Sequence, residues 1–197
     1  MRELRLHGRG GQGTVIASKL LAVALFLEGR EVQSFPMFGV ERRGSPVTAF
    51  LRVDDEPLKL RCEIHEPDEL IVLDPTLIGT TDITSGLKLG GRILINTEQA
   101  PGDFPDLLAR AHVSTVDATG IAVRHGLGGK AQPIVNTAIL GAYAADTGLI
   151  SVANMINAIK EEVPVQIDAN IAAAMEAMVA VRHAPMGSAD VREVARV

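Results

Sequence analysis

The chain has 197 residues, of which 47% are hydrophobic and 22% charged, and a formal net charge of -5. That length bounds one domain with a sizeable core. The acidic balance and the lack of a basic tract argue against nucleic acid as a partner, and no apolar run approaches the 18 or so residues of a membrane helix.

Cys62 is the only cysteine. An intrachain disulfide and a cluster held by this chain alone are therefore excluded, and a reducing, cytoplasmic setting is expected. Cys62 itself reads as a small packed residue within a strand. The N-terminus, Met1-Arg2-Glu3-Leu4, runs straight into a strand pattern and does not read as a signal peptide. A mean hydropathy of +0.21 points to apolar surface that needs cover, as in an obligate subunit.

The organising stretch is Gly8-Arg9-Gly10-Gly11-Gln12-Gly13. Leu4 to His7 before it alternates like a short strand. Thr14 to Glu28 after it is free of Gly and Pro and rich in Val, Ile and Leu, which predicts a buried helix. Strand, glycine turn and helix in succession aim backbone N–H groups and a helix dipole at one point, a site for an anion such as a phosphate. Gly8, Gly10 and Gly13 also fit the dinucleotide fingerprint G-x-G-x-x-G. That reading wants an acid at the end of the second strand, where the sequence has Gln33-Ser34-Phe35, so bound NAD is disfavoured. A plain packing turn is the other reading.

Gly29 predicts a helix end and Glu31 to Phe35 a second strand. The next segment, Pro36 to Pro46, brackets Glu41, Arg42 and Arg43 between prolines and glycines. It starts where the second strand ends, so these charges can line the same crevice as the glycine turn; a solvated surface loop is the alternative. Val47 to Val53 and Pro57 to Cys62 read as a β-hairpin around Asp54-Asp55-Glu56, which makes the sheet mixed. Glu69 to Asp74 reads as a buried strand ending in an acid, with Asp74 as a helix cap or a crevice residue. Further strands are expected at Arg92 to Asn96 and Val113 to Asp117, a short helix or turn over Asp103 to Ala111, and a helix over Ala118 to His125 followed by a loop at Gly126 to Gly129. Pro133 is expected to open a helix over Ile134 to Thr147, with Asn136 one turn in and Gly141-Ala142 permitting close packing. Ser151 should cap a helix through Glu162. Asp168 should cap Ala169 to Arg182, with Ile171, Ala172, Met175, Met178 and Val179 on the inward face. His65, His112 and His125 show no metal-ligand spacing. The expected architecture is a three-layer α/β/α, Rossmann-like mixed sheet over residues 1–184, with a tail at 185–197.

Three separated stretches together carry a resemblance. They are the glycine turn at 8–13, Pro36, Gly39, Glu41, Arg43 and Gly44 in the loop, and Pro133, Asn136, Leu140, Gly141 and Ala142 at the Ile134–Thr147 helix pattern. In order and spacing the chain resembles the gamma subunit of the 2-oxoacid:ferredoxin oxidoreductases, over residues 3 to about 182. The resemblance implies oxidative decarboxylation of a 2-oxo acid to its acyl-coenzyme A ester, with electrons passed to ferredoxin or another acceptor. It implies thiamine diphosphate, magnesium and iron–sulfur clusters in alpha, beta and delta-type partner subunits, and an isolated gamma chain that is catalytically inert. It also implies that this chain meets coenzyme A, with Gly10, Gly11, Gln12, Gly13, Thr14, Glu41, Arg42, Arg43 and Asn136 as candidate contacts. A purely structural assembly subunit and a nucleotide-binding oxidoreductase stand as alternatives.

Overall fold

The structure is a computed structural model of the chain, and it describes residues 1–37, 44–60, 62–129 and 132–187. The strands are β1 (Arg2–Arg9), β2 (Glu31–Pro36), β3 (Pro46–Asp54), β4 (Glu69–Val72), β5 (Gly91–Asn96), β6 (Ala111–Val116), β7 (Gly128–Gly129), β8 (Gln132–Pro133) and β9 (Arg182–Ala184). The helices are α1 (Thr14–Leu27), α2 (Pro105–Leu108), α3 (Ala118–Arg124), α4 (Asn136–Thr147), α5 (Val152–Glu162) and α6 (Ile167–Ala180). Seven strands form one mixed sheet in the order β2-β3-β1-β4-β5-β6-β9, and β7 and β8 form a separate small hairpin. Among the described residues no helix is long and apolar enough to cross a membrane.

The strand period of two assigns each face of the sheet. Leu4, Leu6, Ala49, Leu51, Ile71 and Leu94 point to the side covered by α1, α4, α5 and α6, where the larger core lies. Leu70, Val72, Ile93, Ile95 and Val113 point to the opposite side, where Leu77, Ile83, Leu87, Leu107 and Leu108 from turns and the short α2 cover them. The expected three layers are thus present, with the second one thin.

The expected hairpin is corrected in its partner. β3 pairs antiparallel with β1 on one side, Leu4 opposite Leu51, and with β2 on the other, Phe35 opposite Phe50. Both edges of β3 are occupied, so no edge remains for Pro57 to Cys62, and Pro57–Leu60 forms no strand. Cys62 accordingly lies exposed outside any strand, its Sγ 3.7 Å from Arg52 Nη2. Arg52 is the one fully buried cation in β3. It is held by Glu3 at 2.8 Å and lies over the Phe35 ring.

Three helix predictions also change. Pro133 ends β8 before α4 begins, so it is a strand residue and Asn136 is the first residue of the helix. Gln166, with φ +52°, precedes α6, and Asp168 lies in its first turn. The inward face of α6 is Asn170, Ala173, Ala174 and Ala177, with Ile171 and Met178 partly buried beside it, while Ala172, Met175 and Val179 are exposed. The reason is proximity: a Cβ on Gly141 of α4 would overlap the carbonyl oxygen of Ala174, and helices that close admit only small side chains between them. α1 is likewise half-exposed, with Ile16 and Phe26 open to solvent. Ser151 caps α5 as expected, accepting from the Asn154 N–H.

Candidate functional site

β1, β4 and β5 run parallel, and their C-terminal ends meet at one edge of the sheet. The chain leaves β1 through α1 toward β2 and β3 on one side, and later builds β4, β5 and β6 on the other. That reversal is where open α/β sheets leave a crevice. Here it has two compartments astride the glycine turn. One, of about 390 Å³, is lined by Arg9–Gln12, Leu73, Asp74, Asn96, Thr119, Gln132 and Val135 among others. The other, of about 350 Å³, is lined by Arg9–Ile16, Val47, Ile134 and Asn136. Both have the size of small-molecule sites.

The turn is held by its own sequence. Gly11 and Gly13 have φ of +95° and +81°, a conformation that only glycine adopts without strain. A side chain at Gly8 would run into the Thr14 hydroxyl. The Gln12 carboxamide accepts from the Arg9 N–H at 2.8 Å and donates to Asp74 at 2.7 Å. Arg9 reaches Asp74 at 3.1 Å, Thr76 Oγ1 at 2.9 Å and the Gly44 carbonyl at 3.2 Å. Burial pushes the Asp74 carboxyl up, but the Thr76 hydroxyl, Gln12, the Thr76 N–H and the Arg9 charge outweigh it. The group is held below the usual carboxylate range and is ionised. Asp74 is thus both a cap, accepting from the Thr76 N–H, and a crevice residue.

The predicted site residues divide into three groups. Gly10 and Gln12 line the crevice but spend their backbone N–H groups internally, on the Ser45 and Arg9 carbonyls. Gly11, Gly13, Thr14 and Asn136 come together in the smaller compartment. Thr14 is 2% exposed, and its hydroxyl has no partner among the described residues. The first backbone bond of α1 runs from Ala17 to the Gly13 carbonyl, and the N–H groups ahead of it have no partner within the helix. Asn136 stands at the N-terminus of α4. Its Oδ1 accepts from the Thr137 N–H at 2.9 Å, and its Nδ2 lies within 4 Å of the place a Cβ on Gly13 would occupy. Glu41, Arg42 and Arg43 lie outside the described residues. The stem of their loop is anchored at the turn, because Gly10 exchanges backbone hydrogen bonds with Ser45 and Gly44.

Sequence reasoning missed Arg9 and Asn96 as crevice residues, and Thr119 and Gln132 with them. Arg9 stands inside the glycine motif, and that was its signal. Asn96 ends β5, and its amide bonds the Leu73 carbonyl and Thr119 Oγ1; only the strand order brings it beside Asp74. Among the described residues no group of three or more His, Cys, Asp or Glu is arranged to hold a metal ion.

Fold and crevice define an open α/β domain whose cleft lies at the switch point of the sheet, walled by two helix N-termini. Residues 3–180 match the family described as pyruvate ferredoxin/flavodoxin oxidoreductase. The chain belongs to that family, as a gamma-type subunit. It is 52% identical over 164 residues to the "pyruvate/ketoisovalerate oxidoreductases common subunit gamma" of Thermococcus kodakarensis, covering 82% of this chain and 86% of that one. It is 48% identical over 184 residues to the "pyruvate synthase subunit PorC" of Methanothermobacter marburgensis, covering 93% and 99%. The crystal structure of a pyruvate oxidoreductase subunit from Thermotoga maritima superposes with a TM-score of 0.77 at 34% identity, covering 93% of this chain and 98% of that one.

Proposed function

We propose that this chain serves a multi-subunit oxidoreductase that converts a 2-oxo acid to its acyl-coenzyme A ester, and that its own part is to bind or gate coenzyme A. Partner subunits of the alpha, beta and delta type supply the thiamine diphosphate and iron–sulfur chemistry, and ferredoxin or another carrier takes the electrons. The names of the relatives, a common gamma subunit and a pyruvate synthase subunit, support this reading, with pyruvate or a branched 2-oxo acid as substrate.

The observation that carries the coenzyme A assignment is the meeting of α1 and α4. Their N-termini share one compartment with the Asn136 amide and the Thr14 hydroxyl, and no carboxylate is among its described lining residues. Helix N-termini favour phosphate. Arg42 and Arg43 stand in the loop whose stem is fastened to Gly10, and Arg is suited to phosphate recognition. The internal use of the Gly10 and Gln12 N–H groups favours the second reading, a scaffold subunit whose glycine turn serves packing alone.

The test is steady-state kinetics of the assembled complex with coenzyme A varied. Losing one charge-assisted contact, as in Arg43→Ala, should raise KM for coenzyme A by about 10- to 100-fold, and Asn136→Ala should raise it less. Arg43→Lys should restore part of the loss. An unchanged KM in both alanine variants, with assembly intact, would assign the scaffold role.

A further inference from the structure

The two compartments differ in charge although they share a wall. Arg9 lines both, whereas Asp74 lines only the larger one. On the larger side the guanidinium is in contact with the carboxylate at 3.1 Å, so the pair presents little net charge. The carboxylate there is fully engaged by donors: Thr76 N–H at 2.9 Å, Thr76 Oγ1 at 2.6 Å, Gln12 Nε2 at 2.7 Å and Arg9. What remains around it is neutral and polar, namely Asn96 and Thr119, beside apolar Leu73, Pro133 and Val135.

On the smaller side the described lining offers donors and no acid. Asn136 is 6% exposed, and the Thr14 hydroxyl, in a residue 2% exposed, has no partner among the described residues. The first turns of α1 and α4 bring two positive dipole ends to the same space. Val15, Ile16 and Ile134, each at least a third exposed, form its rim. An anion gains on this side. On the other the one cation, Arg9, is already paired with Asp74 at 3.1 Å, so an anion finds no free positive charge there to gain from.

We propose that Asp74 is a positioning residue that sets the direction in which a phosphorylated carrier lies across the glycine turn. The anionic end goes to the α1–α4 side, and the neutral, amide-bearing arm goes to the Asp74–Asn96–Thr119 side. This rests on the coenzyme A reading above and adds an orientation to it. Coenzyme A has this polarity, with phosphates at one end and an uncharged pantetheine arm at the other. The Arg9–Asp74 pair keeps the larger compartment from competing for phosphate, so one anion site is left per chain.

The experiment is calorimetric titration of the assembled complex with three probes: coenzyme A, pantetheine and inorganic pyrophosphate. The unaltered complex should bind one pyrophosphate per gamma-type chain at this crevice. Asp74→Asn keeps the size and removes the charge, leaving Arg9 without its counter-ion, and a second, weaker pyrophosphate site should appear. Asn136→Ala should weaken coenzyme A and pyrophosphate by about 10-fold and leave pantetheine within about twofold. Thr119→Val should do the reverse, weakening pantetheine and coenzyme A while sparing pyrophosphate. If Asn136→Ala weakens coenzyme A but pyrophosphate stoichiometry stays at one in Asp74→Asn and the fragments respond alike to every variant, the division by charge is overturned and the coenzyme A reading stands. If coenzyme A affinity ignores all three substitutions in a complex that still assembles, the coenzyme A reading itself falls.

Discussion

Arg9 and Asp74, 65 residues apart in the chain, meet at 3.1 Å across the mouth of the crevice. The bond joins the end of β1 to the turn after β4. Through the Gly44 carbonyl it also fastens the base of the loop that carries Arg42 and Arg43. Arg9→Met should therefore loosen the loop stem and the Pro75 turn together. The expected result is a loss of about 1–2 kcal/mol in urea unfolding and faster amide exchange at Gly44 and Thr76, with the β5–β6 pairing unaffected.

Gly141 marks the point where α4 and α6 touch. Its replacement by alanine places a methyl group against the Ala174 backbone, and backbone cannot swing aside as a side chain can. Gly141→Ala should cost about 1–3 kcal/mol through overpacking, read as a lower urea midpoint at unchanged slope. Ala142→Gly next to it should cost only about 1 kcal/mol through helix propensity.

His7 lies buried in β1, and burial first, then the Arg5 charge, pushes its pKa down to about 4. The unfolded chain, with a histidine pKa of about 6.5, takes up the proton sooner. Stability is therefore undiminished by this group above pH 6.5. It falls as the pH drops from about 6.5 toward about 4, at up to about 1.4 kcal/mol per pH unit. His7→Gln should flatten that part of the stability–pH curve, measured by urea unfolding at several pH values. An unchanged slope would place the titration elsewhere.

Tyr143 is buried in α4 and donates its hydroxyl to Glu69 at 2.9 Å. Burial raises the Glu69 carboxyl, and the Tyr143 hydroxyl and Arg2 pull the other way. Tyr143→Phe removes one of these supports from a group with almost no access to water. It should destabilise the chain by about 1–3 kcal/mol at neutral pH. The loss should be smaller in acid, where a protonated Glu69 needs less support.

The outer face of α1 exposes Ile16 at 53% and Phe26 at 63%, and α6 exposes Val179 at 88%. Such surface is expected of a subunit that works under cover. Expressed alone, the chain should self-associate in light scattering, and the triple variant Ile16→Lys, Phe26→Lys, Val179→Lys should be monodisperse. If the unaltered chain is already a stable monomer, the apolar faces have no need of a partner.

The local signals in the sequence were enough for the β1–turn–α1 unit, the Ser151 cap, the close approach at Gly141 and the buried apolar runs of β4 and β5. Each depends on neighbours within a turn or two of chain, so its physics is written where its residues are. Asn136 is named beside the glycine turn only through the family resemblance, and the structure sets its amide within 4 Å of the place a Cβ on Gly13 would occupy. The pairing of β3 was not legible, because Pro57 to Cys62 has the strand pattern but both edges of β3 are taken by β1 and β2, and only the assembled sheet decides who occupies an edge. The inward face of α6 was misread for a different reason: both of its faces are apolar, and although Ile171 and Met178 pack at the core's margin, the face against α4 is the alanine one because α4 comes too close for methionine or valine. The Arg9–Asp74 clasp and the split crevice belong wholly to tertiary structure. They exist because the strand order sets the ends of β1, β4 and β5 side by side, and no periodicity in the chain records that adjacency.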